Sequence, residues 1–553
     1  MRLIIIFAQI DVMQRKCLLL FSFVILVSFS VTAQTPKPKL VVGLVIDQMR
    51  WDYLYRYNEL YGPGGFKRLL GQGHSCENTM IPYVPTYTAV GHTCVYTGSV
   101  PAITGIVGNN WFDKASNKNV YCTDDSTVTT VGSNTNAGKM SPDNLWATTI
   151  TDELRLSNNF KSKVIGIALK DRGAILPAGH SANAAYWYDD KVGKWITSSY
   201  YMKSLPTWVD RFNAKDLPSS YMSRDWYTLI PIDKYDLSTA DDKPYENKIK
   251  GDPGVVFPHK LSGIGAADKY SSFKTTPFAN TYSFDFAKAA IEGETLGKNN
   301  VTDFLALSIS STDYIGHAFG PNSIEAEDTY LRLDRDIADF LTYLDKQYGA
   351  GNYLFFLTAD HGVAHIPAFL QEHNIPGGNF EDSDIAKEIN EAVEANFGIK
   401  KVVMSLQNYQ VYLDMNAIER SGKGEEAVKS FVIKTLKQKP FIIGAFETEE
   451  IAETTLPQPQ KEMMTNGYNP RRSGDIQFTF KPGYFDGGSK GTTHGLWNPY
   501  DAHIPLLWFG WKVKPGKTNR EVYMTDIAPT IAAMLQIQMP SGSVGKVITE
   551  VVK

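Results

Sequence analysis

Cysteine is scarce, with four in 553 residues, and one of these, Cys17, stands at the head of an N-terminal apolar run. The other three, Cys76, Cys94 and Cys122, permit at most one disulfide. No disulfide framework therefore holds the fold, and all three read as small buried hydrophobes. Excess positive charge is missing too: 55 Lys and Arg face 59 Asp and Glu, for a formal charge of -4 and a pI near 6.2. That balance gives no electrostatic footprint for DNA or RNA, so no nucleic-acid partner is expected. No stretch is biased enough to stay disordered, and no internal repeat is present.

Membrane-length apolar runs are also missing. The one candidate, Cys17 to Val31, follows Gln14, Arg15 and Lys16 and leads into Val31-Thr32-Ala33. It is short for a span and ends in a small-residue cleavage pattern, so residues 1–33 read as a secretory signal, with Met1 or Met13 as the start. The mature chain, 34–553, is then an exported protein with no stable membrane span. Its 43% hydrophobic and 12% aromatic residues suffice for a large core in one α/β domain with insertions.

Val41 to Ile46 reads as a fully buried strand, and GGFKRLLGQG after it as a short helix stopped by glycine. Val164 to Leu169, Phe304 to Ile309, Tyr353 to Leu357 and Ile504 to Phe509 read as similar strands. Between two of them Tyr330, Leu331, Leu333, Ile337, Phe340, Leu341 and Leu344 recur at helical spacing behind Asn322, the expected N-cap, with Glu325 three residues on. A further helix is expected over Thr525 to Leu535. Alternating strands and helices predict a doubly wound, mostly parallel sheet with helices on both faces. Two aromatic-, Pro- and Gly-rich stretches, about 177–272 and 367–487, read as insertions capping its crevice.

Three of the apolar runs end on metal-ligand residues: LVVGLVIDQ on Asp47, FLALSISSTDYIGH on Asp313 and His317, and YLFFLTADHG on Asp360 and His361. GTTHG adds His494. An open α/β sheet gathers such residues in the crevice beyond its strand C-termini. Six mixed oxygen and imidazole ligands suit two zinc ions, each with a position open for chemistry. In YVPTYTAVGH, Pro85 followed by a helix-compatible run places Thr88 at a helix N-terminus, where backbone N–H groups favour an alkoxide. Zinc beside it would make that hydroxyl a nucleophile.

Longer motifs surround these residues: PKLVVGLVIDQMRWDYLYRY, YVPTYTAVGHTCVYTGSVPAITGIVGNNW, LKDRGAILPAGH, STDYIGHAFGPNSIEAEDTYLRLDRD, ADHGVAH and GTTHGLWNPYDAHIPLL. From about Lys39 to the C-terminus the chain resembles the alkaline phosphatase superfamily, and within it the PafA-type periplasmic alkaline phosphatases. The resemblance implies two zinc ions per chain, one held by Asp313, His317 and His494, the other by Asp47, Asp360 and His361 beside the nucleophile Thr88. Thr86 matches a threonine that the family does not use for attack. Asn109 resembles the asparagine that donates to a phosphoryl oxygen, and Lys170 and Arg172 the pair that grips the remaining charge of a monoester dianion. The implied protein is a periplasmic, monomeric alkaline phosphatase acting on small phosphate monoesters through a phosphothreonine. The alternative is a nucleotide pyrophosphatase or phosphodiesterase on the same two metals. A secreted zinc protein that only binds phosphate is a third reading, one that leaves Thr88 without a purpose. No cysteine opens a C-x-P-x-R motif, which sets sulfatases aside. His92, His180 and His365 are expected to play supporting roles.

Overall fold

Five parallel strands form the middle of the molecule: β1 (Leu40–Ile46), β2 (Val164–Ile167), β3 (Ala184–Asp189), β4 (Asp303–Ile309) and β5 (Tyr353–Thr358), in the spatial order β5-β1-β4-β2-β3. Every residue of these strands is buried, as expected of strands covered on both faces, and their sequences are near-continuous apolar runs for that reason. The computed structural model describes residues 37–552 and, ahead of them, Gln14. The secretory signal read over 1–33 and Cys17 thus fall outside the described residues.

The full sheet is mixed and has eleven strands. Beyond β5 it continues through Leu506–Gly510, which runs antiparallel, to His74–Met80. The single strand expected over Ile504 to Phe509 is therefore two, His503–Ile504 and Leu506–Gly510. Pro505 separates them because it has no N–H to give to a ladder. Beyond β3 the sheet continues through antiparallel Lys194–Ser198. β3 and Lys194–Ser198 lie inside the first of the two irregular stretches, so that stretch also supplies part of the sheet.

Helices flank the sheet. The four that matter for the site are α1 (Thr88–Thr97), α2 (Asp171–Ala178), α3 (Ser311–Phe319) and α4 (Ile324–Tyr348). The cap of α4 is Ser323, not Asn322: its hydroxyl accepts from the N–H of Ala326. The helix expected from Thr525 starts as a 3-10 turn, Met524–Asp526, and becomes α-helical over Ile527–Leu535. Residues 367–487 carry a separate four-stranded sheet of Val403–Gln407, Gln410–Leu413, Ile476–Phe480 and Ile442–Glu447. It packs with Asp382–Phe397 and Glu425–Leu436 around a second apolar cluster that includes Ile389, Val411, Val428 and Phe478. Cys76, Cys94 and Cys122 are buried free thiols, as their scarcity suggested.

Candidate metal centre and phosphoryl site

The ends of the parallel strands aim the acidic residues at one point. Asp47 follows β1 directly, Asp360 and His361 follow β5, and Asp313 sits in the first turn of α3, which begins two residues after β4. His317 is one turn further along the same helix face. His494 arrives from a loop far along the chain, and its ring stacks on His361 at 3.5 Å between centroids. The Nε2 atoms of His317 and His494 lie 3.2 and 3.5 Å from Asp313 Oδ1. His361 Nε2 is 3.5 Å from Asp47 Oδ1 and 3.3 Å from Asp360 Oδ2.

Two groups of donor atoms result, each with all members within 4.8 Å of one another: Asp313, His317 and His494, and Asp47, Asp313 and His361. The first matches the trio implied by the resemblance. In the second, Asp313 stands where Asp360 was expected. Asp360 is adjacent through His361, but its carboxylate is held by the N–H groups of Gln48 and His361.

Each imidazole is locked with Nε2 facing the site. Nδ1 of His317, His361 and His494 bonds the carbonyls of Thr492, Gly362 and Thr86 at 2.7, 2.9 and 2.8 Å. This is the arrangement that fixes the tautomer of metal-binding histidines. Burial, with His361 and His317 close by, pushes His494 well below its ordinary pKa, and burial lowers His361, so both present a lone pair. Burial, then the neighbouring Asp360, pushes the Asp47 carboxyl well up. Burial would also raise Asp313, but His317 and Lys170 hold it well below its ordinary value.

The donor set fits a metal. Asp47 Oδ1 is buried with no hydrogen bond, Asp47 Oδ2 meets only the Lys170 ammonium, and Asp360 Oδ2 meets only the rings of His92 and His361 at 3.3 Å. Unpaired carboxylate oxygens in the interior are costly unless a cation meets them. Lys170 is the one side-chain ammonium between them: Nζ lies 2.6 Å from Oδ2 of both Asp47 and Asp313. One positive charge does not balance three buried carboxylates. Oxygen and imidazole donors in this number suit zinc.

Thr88 is the first residue of α1 and is buried; its hydroxyl caps nothing. Oγ1 lies 3.5 Å from His361 Nε2 and 3.3 Å from Lys170 Nζ. α1 approaches this closely because of Gly91, where a Cβ would lie 2.4 Å from the Asp360 carbonyl. Asn109 Oδ1 accepts from the N–H of Ala89 at 3.0 Å, which orients its amide so that the NH2 is left as a donor beside the helix start. Lys170, which precedes α2, is only 4% exposed, so Lys-Asp-Arg is no solvated turn. Arg172 is half-buried; Nη1 donates to Tyr121 Oη at 3.0 Å, and Nε has no partner.

His92 supports both ends of the site, with Nδ1 2.9 Å from the Thr88 carbonyl and 3.3 Å from Asp360 Oδ2. His180 and His365 bond elsewhere, to Asp152 and to Asn322. The supporting roles of Thr86, read in the sequence only as a threonine not used for attack, and of Asp501 went unread. Thr86 Oγ1 donates to the Leu496 carbonyl and accepts from the N–H of Gly495, tethering the His494 loop. Asp501 accepts from the N–H of Leu496 through its carboxylate and from the N–H of Gly362 through its carbonyl, joining the two histidine loops. Such roles leave no motif, since they run through backbone atoms.

Residues 41–502 match the family described as type I phosphodiesterase / nucleotide pyrophosphatase. The chain is 54% identical to a protein of Myroides odoratus named calcium-transporting ATPase, over 96% of this chain and 97% of the relative. It is also 54% identical to alkaline phosphatase PhoV of Synechococcus elongatus, over 95% of each. Among solved structures, wild-type alkaline phosphatase PafA is 50% identical and superposes with a TM-score of 0.90, covering 94% of this chain and 100% of that one.

Proposed function

Since the chain belongs to the alkaline phosphatase superfamily through its type I phosphodiesterase / nucleotide pyrophosphatase match, we propose that it is a secreted, periplasmic, two-zinc phosphate monoesterase with Thr88 as nucleophile. The observation that carries this reading is a buried hydroxyl at a helix start, 3.5 Å from a metal-ready imidazole and 3.3 Å from an ammonium.

Asp313, His317 and His494 would hold one zinc, and Asp47, Asp360 and His361 the other, with Thr88 Oγ1 beside it. Bound zinc supplies Lewis acidity, which lowers the pKa of a neighbouring hydroxyl and offsets charge on a departing oxygen. Thr88 gives up its proton to solvent water and Oγ1 attacks phosphorus in line. The P–O ester bond breaks, and the alcohol leaves with a proton from water. Water oxygen then attacks the phosphothreonine, the Thr88 Oγ1–P bond breaks, and inorganic phosphate departs as the hydroxyl regains its proton. The N–H groups at the start of α1 and the Asn109 amide donate to the phosphoryl oxygens as charge builds on them. The Lys170 ammonium lies against Thr88 Oγ1 and favours its ionised form. Arg172 presents a planar fork for the oxygens of a dianion.

The family description keeps a phosphodiesterase as the second reading. Lys170 and Arg172 favour the monoester, because a diester carries one charge fewer. The ATPase name of one relative is compatible with the same chemistry, since a terminal phosphoryl group is also a dianion. Among the described residues, no helix is long and apolar enough to cross a membrane.

Rapid acid quench of the zinc-loaded protein with an aryl phosphate should trap phosphate on Thr88. A panel of monoesters and diesters should show monoesters turned over faster. Monoester turnover with no phosphoprotein at any time point would refute the covalent route, and a preference for diesters would restore the second reading.

A further inference from the structure

Gln48 holds an awkward backbone shape for a buried residue. Its φ is +66°, in the left-handed region that L residues other than Asn and Asp seldom enter, yet it is only 2% exposed. Strain of this kind persists where the surroundings require it. Here the requirement is visible. The turn directs the Gln48 N–H to Asp360 Oδ1 at 3.1 Å, while the side-chain Nε2 donates to Asp313 Oδ1 at 2.7 Å. One residue thus grips two carboxylates that come from different strand ends, immediately after a third, Asp47.

The far side of the amide explains a second oddity. Gly316 lies inside α3, where glycine is the poorest choice after proline. A Cβ there would sit 1.8 Å from Gln48 Oε1, so any other residue would evict the amide. Gly316 lies between Asp313 and His317 on the helix that carries them, and its missing side chain makes the space that Gln48 fills. Thr312 ties the same helix to the Asp47 carbonyl through Oγ1.

We propose that Gln48, seated against Gly316, is a positioning residue that clamps Asp313 to Asp360 and so sets the spacing of the two metal positions. The inference rests on these carboxylates holding zinc, as proposed above. Gln48 Oε1 is turned toward Gly316, so the amide meets the Asp313 carboxylate as a donor. The Gln48 N–H takes Asp360 Oδ1 and leaves Oδ2 for a cation, while the amide steadies Asp313 through Oδ1, the oxygen that faces His317 and His494, as partners behind metal ligands do.

The test is zinc retention against a chelator, measured with the thermal stability of the zinc-free protein, for Gln48→Ala, Gln48→Gly, Gly316→Ala and Gln48→Ala/Gly316→Ala. The clamp predicts a roughly 10- to 100-fold loss of zinc affinity in each single variant. Gln48→Gly should be more heat-stable than Gln48→Ala because it removes the left-handed strain, yet retain zinc no better. The double variant should be no worse than Gln48→Ala, since both changes remove one interaction. Unchanged retention in Gln48→Ala, or additive losses in the double variant, overturns the inference. Zinc loss that merely follows the stability of the zinc-free protein overturns it too. Failure of the wild-type protein to bind zinc overturns the functional reading, and this inference with it.

Discussion

Replacing Arg172 by alanine should separate monoester from diester hydrolysis, because its contacts lie outside the ligand cluster. Its Nη1 donates to Tyr121 Oη at 3.0 Å, whereas Lys170 Nζ sits 2.6 Å from two ligand carboxylates. Removing Lys170 would leave Asp47 and Asp313 without their ammonium and disturb both reactions alike. Removing Arg172 leaves Tyr121 still bonded to Asp171 at 2.8 Å, so no buried hydroxyl is orphaned. A charge-assisted contact made to the transferring group is worth about 2 to 4 kcal/mol when truncated. The expected loss in kcat/KM for an aryl phosphate is therefore roughly 30- to 1000-fold. The matching aryl diester lacks the charge that Arg172 faces and should change by no more than about threefold, on the order of 0.6 kcal/mol. The assay compares both substrates with one zinc-loaded preparation, where chemistry limits the rate and metal content has been measured. Tyr121→Phe, which loosens the guanidinium but keeps its charge, should produce the same bias at a smaller amplitude. Equal losses on the two substrates at full zinc occupancy would refute the assignment.

Thr88→Ala should abolish turnover and phosphoprotein trapping while zinc content stays near normal, because the carboxylates and imidazoles supply most of the affinity; metal analysis beside a rate assay checks both halves. His494→Ala should slow alkyl phosphates more than aryl phosphates in zinc-replete protein, since the poorer leaving group needs more charge stabilisation; a flat leaving-group series would count against its place at that metal. Away from the site, burial would raise Asp152, but His180, Thr149 and Ser181 bring it down to about 2. Its folded value lies below the unfolded one, so its stabilisation, roughly 2 kcal/mol, is complete above pH ~4 and fades as pH falls toward 2. Urea melts should show the gap between wild type and Asp152→Asn narrowing over that interval, and a gap independent of pH would rule the linkage out.

The strand ends were legible because buried parallel strands write themselves as apolar runs, and a polar residue that ends such a run is conspicuous. Asp47, Asp313 and Asp360 were found in this way, and the spacing of Asp313 and His317 follows from helix geometry. Less legible was anything decided by backbone atoms. Gln48 acts partly through an N–H in a left-handed turn, Thr86 through a loop four hundred residues away, and Gly316 through a side chain it lacks. A local slip of one residue moved the α4 cap from Asn322 to Ser323, as both are good caps and only the turn geometry chooses. The break at Pro505 was visible in the sequence, but the antiparallel direction of Leu506–Gly510 depends on its partner, which no local pattern names.

The difference between a phosphodiesterase and a phosphatase on this frame comes down to where spare positive charge stands. Once all are ionised, Asp47, Asp313 and Asp360 bring three negative charges to the site, and Lys170 and Arg172 bring two positive ones. The side chains alone would repel a phosphate dianion, so binding metal and binding substrate are one electrostatic problem. Lys170 is already committed to two of the carboxylates. Arg172 is not, and the neighbouring Asp171 is satisfied by the hydroxyls of Tyr121 and Thr123 at 2.8 and 2.6 Å. On the proposed function the guanidinium, bonded through Nη1 to Tyr121 and with Asp171 beside it, would turn its remaining donors to the substrate. Both cations of the Lys-Asp-Arg run would then favour the dianion, but Lys170 is shared with two carboxylates and Thr88, so Arg172 would carry the larger part of the discrimination. A relative with the same carboxylates and histidines but no cation at that place would have no electrostatic reason to prefer a monoester.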